Sequence, residues 1–274
     1  DAPGIRKVIA ASEKAKQKGL NVVTGTQRRH DRSYMECMDR IHNGQIGDVV
    51  ATYAYWNQGA LWMKPRKPEW SMLEWQMRNW LYFTWLSGDH IVEQHVHNID
   101  VSNWSKNAHP VKCFAIGGRE VRTDPNFGHI FDHFATEYEY ADGTKMTSTC
   151  RQIDGCFSRV AEQIVGTKGT SNASNTIRGE SPWRFSGKND DAYKLEHMDL
   201  IASIRGQAPY VNEGVRVAES TLTAIMGRMS AYTGKEVTWE QAMASQESIV
   251  PEYFAFGMKL EVPPVAVPGV TPLV

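Results

Sequence analysis

The sequence predicts an α+β fold, an antiparallel open sheet with flanking helices, preceded by the last part of an α/β unit. Three observations predict it. Residues 1–47 run helix, strand, helix, the grammar of an α/β sheet. Strands then follow one another near 111–118, 129–140, 144–153 and 158–166, with a hairpin signal at Ala141-Asp142-Gly143-Thr144 and a second turn at Gly166-Thr167-Lys168-Gly169. Helical segments at 190–205 and 213–233 come afterwards in succession, as α+β domains arrange them.

The elements can be justified in order. Asp1-Ala2-Pro3 is a capped helix start with Pro in the first turn. Ile5, Val8, Ile9, Ser12 and Ala15 keep the helical period up to Gly19, a natural stop. Residues 20–26 are a short apolar run that suits a buried parallel strand. Asp31 or Ser33 opens a second helix with Met35, Met38 and Ile41 inward, ending near Gly44. A strand is expected over 49–56, a Trp-rich stretch over 57–85 and a helix over 89–105. One strand without partners leaves open edges. Residues 1–47 therefore read as the end of a larger α/β domain, 48–250 as the main α+β domain, and 251–274 as an extended tail. That tail holds five of the 12 prolines.

Composition excludes several classes. Thirty Lys and Arg against 31 Asp and Glu give a formal net charge of −1. A general nucleic-acid or membrane binder needs a basic excess, so neither partner is expected. No uncharged apolar run is long enough to span a bilayer. Cys37, Cys113, Cys150 and Cys156 form no CxxC pair and read as free thiols, which favours the cytoplasm; export of a longer parent stays open.

Chemistry concentrates in Ser87-Gly88-Asp89-His90-Ile91-Val92-Glu93-Gln94-His95-Val96-His97-Asn98-Ile99-Asp100. On one continuous helix, Ile91, Val92, Val96 and Ile99 point inward. His90, Glu93, His97, Asp100 and Trp104 share the opposite arc. Glu93 and His97 are four apart, so their side chains can touch, and a carboxylate on an imidazole suits a general base. A solvated polar face is the plain alternative. His90, Glu93 and His97 also permit a metal-assisted hydrolase or lyase acting on a glycoside, although the two histidines lie about 10.5 Å apart along such an axis. Six tryptophans fall in 56–85, and aromatic faces stack on sugar C–H surfaces as well as on each other. Trp56 and Trp80 are the expected sugar contacts, with Arg28 from the Arg28-Arg29-His30 cluster after the first strand. A two-residue Asp142-Gly143 turn sets His133 opposite Gln152 and Phe134 opposite Arg151. His133, Arg151 and His90 complete the candidate substrate contacts. There is no G-x-G-x-x-G, no phosphate-binding loop and no nucleophile elbow.

Several segments, in order, resemble the Gfo/Idh/MocA oxidoreductases. Asp1-Ala2-Pro3-Gly4-Ile5-Arg6 resembles the stretch after that family's Glu-Lys-Pro motif. Gly44-Gln45-Ile46-Gly47-Asp48-Val49 resembles its domain junction, and Glu93-Gln94-His95-Val96-His97-Asn98-Ile99-Asp100 its catalytic helix. Val165-Gly166-Thr167-Lys168-Gly169-Thr170 resembles its sheet hairpin, and Tyr193-Lys194-Leu195-Glu196-His197 the helix that follows. The resemblance implies that 1–47 are the remnant of a dinucleotide-binding Rossmann domain and that NAD or NADP is the cofactor. It further implies hydride transfer on a sugar, polyol or related carbohydrate. His97 matches the proton-transfer His and Glu93 its carboxylate partner, with Glu where many members have Asp. The family's catalytic Lys belongs upstream of Asp1. A sheet face without helices is expected to pair with another copy, giving a homo-oligomer. The rival from another class is a cofactor-free carbohydrate-binding or assembly subunit.

Overall fold

In the computed structural model, which describes residues 1–274, the Asp1 carboxylate accepts a hydrogen bond from the Gly4 amide and opens α1 (Ala2–Gln17). The helix stops before Gly19, which takes a left-handed φ of 67°. Residues 20–26 do not enter the sheet, contrary to the strand expected there. Val22 makes a single parallel bridge to Asn212, and Leu20 is exposed. The physical reason is the lack of a neighbouring strand: only the segment leading into a later helix lies alongside. A short 3-10 turn at Gln27–His30 follows, then α2 (Arg32–His42), capped by Asp31, with Cys37, Met38 and Ile41 buried.

The sheet begins with β1 (Val49–Gln58). The Trp-rich stretch folds into α3 (Met72–Arg78) and α4 (Thr84–Ser87), and α5 (His90–Glu93) and α6 (Val96–Lys106) come next. Then come β2 (Lys112–Gly118), β3 (His133–Glu139), β4 (Lys145–Gln152), β5 (Arg159–Gly166), β6 (Gly169–Ser171), β7 (Thr176–Gly179) and β8 (Trp183–Arg184). The chain continues through α7 (Ala192–Ile204), α8 (Gly214–Thr233), β9 (Val237–Thr238) and α9 (Trp239–Ala244). The nine strands form one sheet in the order β8-β7-β6-β5-β1-β4-β3-β2-β9, with β1 parallel to β4 and every other pairing antiparallel.

Period-two alternation gives the sheet two unlike faces. Ala54, Cys113, Ala115, Phe134, Tyr138, Met146 and Cys150 share a core with Ile91, Ile99 and the buried stripe of α8. Ile5 brings α1 onto the same core. On the other face Phe114 and Ile116 stand 52% and 63% exposed, so no helix covers it. The β3–β4 turn is a three-residue loop, Ala141-Asp142-Gly143, closed by the Tyr140 amide on the Thr144 carbonyl, with Gly143 at φ 82°. The extra loop residue shifts the register by one from the expected pairing. His133 pairs with Arg151, and Phe134 with Cys150. No helix is long and apolar enough to cross a membrane.

Candidate active site

The helix expected over 89–105 is two helices with a break at Gln94–His95. His95 turns inward and bonds Ser148 at 2.7 Å, while Gln94 accepts from Gln152 at 2.9 Å. The His97 amide reaches only the Gln94 carbonyl, at 3.4 Å, so the regular ladder does not run from Glu93 to His97. The two side chains therefore arise from separate helices. No hydrogen bond joins them, against the contact that their spacing suggested. Each is half-buried, and Glu93 Oε1 and His97 Nδ1 have no partner in the chain. Buried polar atoms without a partner are the exception in a folded chain, and a ligand is one way to satisfy them.

Their proton affinities are driven apart. Burial, then the charge of Asp89, pushes Glu93 up to about 7. Burial, then the positive charge of Arg28, pulls His97 down to about 4. At neutral pH the imidazole is free to accept a proton, and the carboxyl is poised between its two states.

The surroundings are built from several elements. The Trp56 ring lies 6.0 Å from the His97 ring, and the Arg28 guanidinium lies 5.4 Å from the Trp56 ring. Arg28 donates to Asn98 at 2.8 Å and pairs with the buried Glu162, which also accepts from Tyr34. Asn98 in turn donates to the Tyr55 and Ala161 carbonyls, so α6 is tied to β1 and β5 beside His97. On the Glu93 side, Asp89 is fully buried with φ 74° and ψ 161°. Its carboxylate accepts from the His90 amide, the His90 ring, the Phe131 amide and the Tyr232 hydroxyl. Burial opposes ionisation there, but these donors hold Asp89 below the usual carboxylate range.

The residues singled out from sequence divide into groups. Arg28 and Trp56 stand with His97. Trp80 packs edge-on against Trp62, ring centres 5.6 Å apart, in a separate aromatic cluster with Tyr82. That cluster reaches the site through Tyr82, whose ring carries Arg122, and through the bonds Arg122–Gln152–Gln94. His90 is 1% exposed and tied to Asp89, so it has no surface to offer a substrate. His133 and Arg151 occupy the uncovered sheet face, on the far side from His97. Arg29 grips Asp100, and His30 lies between Asp199 and Glu213, so both brace the fold. His90, Glu93 and His97 do not converge, and no three His, Cys, Asp or Glu side chains gather closely enough to share a metal ion.

Sequence reasoning missed Asp89, Gln94, Asn98, Arg122, Gln152 and Glu162. A signal existed only for Asp89, which follows Gly88 directly before the chemistry-rich helix. The others are polar residues whose placement depends on register and on the helix break. Residues 1–48 offer no dinucleotide cradle: α1 and α2 are joined by a segment with one bridge, and no glycine-rich turn links a strand to a helix.

No protein-family model and no curated sequence matches the chain. Solved structures do. Aldose-aldose oxidoreductase from Caulobacter crescentus aligns with a TM-score of 0.63 at 15% identity, over 85% of this chain and 68% of that one. Scyllo-inositol dehydrogenase from Lactobacillus casei gives 0.60 at 19%, over 85% and 68%. Myo-inositol 2-dehydrogenase from Lactobacillus plantarum gives 0.60 at 18%, over 85% and 69%. The likeness is one of fold: the open nine-stranded sheet with helices on one face is that of the C-terminal domain in Gfo/Idh/MocA-type dehydrogenases.

Proposed function

We propose that this chain carries the substrate-binding and proton-handling residues of a Gfo/Idh/MocA-type oxidoreductase acting on a sugar, polyol or related carbohydrate. The observation that carries the proposal is the two half-buried, partnerless groups Glu93 and His97, shifted in opposite directions, with Trp56 and Arg28 beside His97. The shared fold supports it, because the neighbours named above include two inositol dehydrogenases and an aldose oxidoreductase. His97 accepts the proton of the reacting hydroxyl, and Glu93 steadies the charge that develops. Trp56 offers its face to the sugar ring, Arg28 a donor, and Trp80 an outer stacking surface.

NAD or NADP belongs to the proposal as the hydride partner. Most of its binding site would have to come from outside these 274 residues, given the missing cradle. Residues 1–47 are then the closing part of the dinucleotide domain. A second copy on the end of the uncovered sheet face that holds Phe114, clear of the row that holds His133 and Arg151, completes the proposal, and sedimentation of the wild type against Phe114→Lys tests it.

The functional test is a screen of inositols and aldoses with NAD and NADP, read by nicotinamide absorbance, alongside calorimetric binding of the same compounds. His97→Ala should cut turnover at least about 100-fold while sugar binding persists. A loss under about tenfold removes His97 from the reaction. Sugar binding without any nicotinamide response favours the cofactor-free binding subunit.

A further inference from the structure

His133 and Arg151 have no part in the Glu93–His97 site, and the face that carries them has chemistry of its own. Strand register places one residue from each of five strands in a single row: Gly118, His133, Arg151, Asn57 and Arg159. The row contains three basic side chains and no acid. Neither arginine is paired with a carboxylate. Arg151 donates to the Phe157 carbonyl, its Nε is buried without a partner, and Arg159 stacks on Tyr55 at 3.8 Å.

The imidazole in the row is fixed from below. His133 Nδ1 bonds Asp132 at 2.7 Å. The Asp132 carboxylate is buried and also accepts from the Glu120, Val121 and Arg122 amides. This leaves His133 Nε2 unbonded on a side chain that is 43% exposed. Gly118, next in the row, adds no side chain over the ring. The neighbouring row is Ile116, Ala135, Thr149, Tyr55 and Ala161, which carries no charge. The two rows meet in a concavity of about 570 Å³ lined by His133, Arg151, Asn57, Ile116, Thr149 and Phe157. That volume is in the range of small-molecule sites, and Phe157 stands 80% exposed at its edge.

We propose that this concavity is a second binding site, for a small organic anion: a carboxylate or phosphate carried on an apolar body. Arg151 and His133 take the anionic group, and Ile116 and Phe157 take the body. A guanidinium without a carboxylate neighbour, held by one carbonyl, keeps donors free for a forked contact with an anion. A fixed imidazole on the adjacent strand adds a donor within one strand spacing. The apolar wall excludes water from that contact and strengthens it. The sheet separates this concavity from His97, so its ligand does not touch the reacting groups, and the site stands whether or not the carbohydrate reading holds. It lies at the loop end of the face, beyond the row that holds Phe114.

Benzoate and inorganic phosphate are the probes, titrated calorimetrically into the full chain while the His133 ring is followed by NMR. Benzoate is expected to bind saturably, to shift the His133 signals, and to bind at least about tenfold more weakly to Arg151→Ala. His133→Gln, a change at an exposed side chain, should weaken it as well, and His97→Ala should leave it unchanged. Phosphate binding with the same dependence on Arg151 supports the anion seat and identifies phosphate as the source of the charge. Benzoate that fails to bind, or binds wild type and Arg151→Ala alike, overturns the proposal. So does a dimer that shuts benzoate out and dissociates in Arg151→Ala, since the seat would then hold a carboxylate of a second copy.

Discussion

Asp89 holds a backbone conformation, φ 74° and ψ 161°, that ordinarily belongs to glycine. A buried acid keeps it only because its carboxylate is held by four donors at 2.6 to 2.9 Å. The charge so fixed lies one helical turn before Glu93, whose amide bonds the Asp89 carbonyl at 3.0 Å. Two causes hold the Glu93 proton, burial first and Asp89 second, and a neutral substitution separates them. Asp89→Asn should lower the Glu93 titration midpoint from about 7 by removing the second cause and leaving the first. Carboxyl carbon NMR across pH 4 to 9 reads it directly, without need of a substrate. A midpoint that stays put assigns the whole effect to burial. Arg28 offers the converse at His97. Removing that guanidinium in Arg28→Ala should raise the imidazole from about 4, though only in part, because burial is the larger cause.

Elements were legible where a local signal decided them. Asp1 and Gly19 mark the ends of α1, and the five long strands lie within a few residues of their expected places, because alternation and turn residues are local. The failures share one cause, that tertiary partners decided the outcome. Residues 20–26 have a strand's composition and no neighbour to pair with. Gln94 and His95 break the helix because Ser148 and Gln152, some 50 residues on, claim their side chains. One more residue in the Ala141-Asp142-Gly143 loop moved Arg151 opposite His133. Of the candidate site, Glu93 and His97 came from spacing alone, while the polar scaffold around them, Asn98, Gln152 and Glu162, came from no pattern. Where elements meet without slack, one methyl group tests the packing. At Gly166 a Cβ would run into the Ile46 carbonyl, where the segment before β1 lies on the end of β5. Gly166→Ala should cost about 1 to 3 kcal/mol, seen as a lower urea midpoint with an unchanged slope. No change would mean that the Gly44–Asp48 turn moves aside freely.

Across the whole molecule, three histidines, two buried and one half-buried, set the response to acid. Burial pulls His95 to about 3, and His97 and His129 to about 4, each from an ordinary value of 6.5. The unfolded chain takes up these protons as pH falls through 6.5 and the folded chain does not, so their contribution to stability is lost from there downward. Groups of raised proton affinity oppose the loss, His30 and Glu93 among them. His30, raised mainly by its hydrogen bond to Glu213, adds stability that is complete below its unfolded value and is lost as pH rises through its raised one. Glu93, raised to about 7, costs stability in full above that pH, and the cost dwindles as pH falls from there to its ordinary value of 4.5. His30 adds nothing further below its ordinary value of 6.5, and below pH 6 the three histidines outweigh Glu93. Below 4.5 Glu213 joins them: burial opposes its ionisation, but His30 and Arg216 hold it at about 2, so its contribution falls away as pH drops toward that value. Urea midpoints measured from pH 8 to pH 4 should therefore decline increasingly below 6. A midpoint that climbs on acidification contradicts this balance. The same ledger gives Glu93 a distinct signature. Glu93→Gln removes a carboxylate that is costly to ionise in place, so the variant should be more stable than wild type at pH 8 and close to it at pH 4, below the ordinary value of 4.5. Such a gain would show that the fold gives up stability to keep an acid at this position, as sites shaped for proton transfer do. Equal midpoints at both pH values would mean that Glu93 ionises there at no cost.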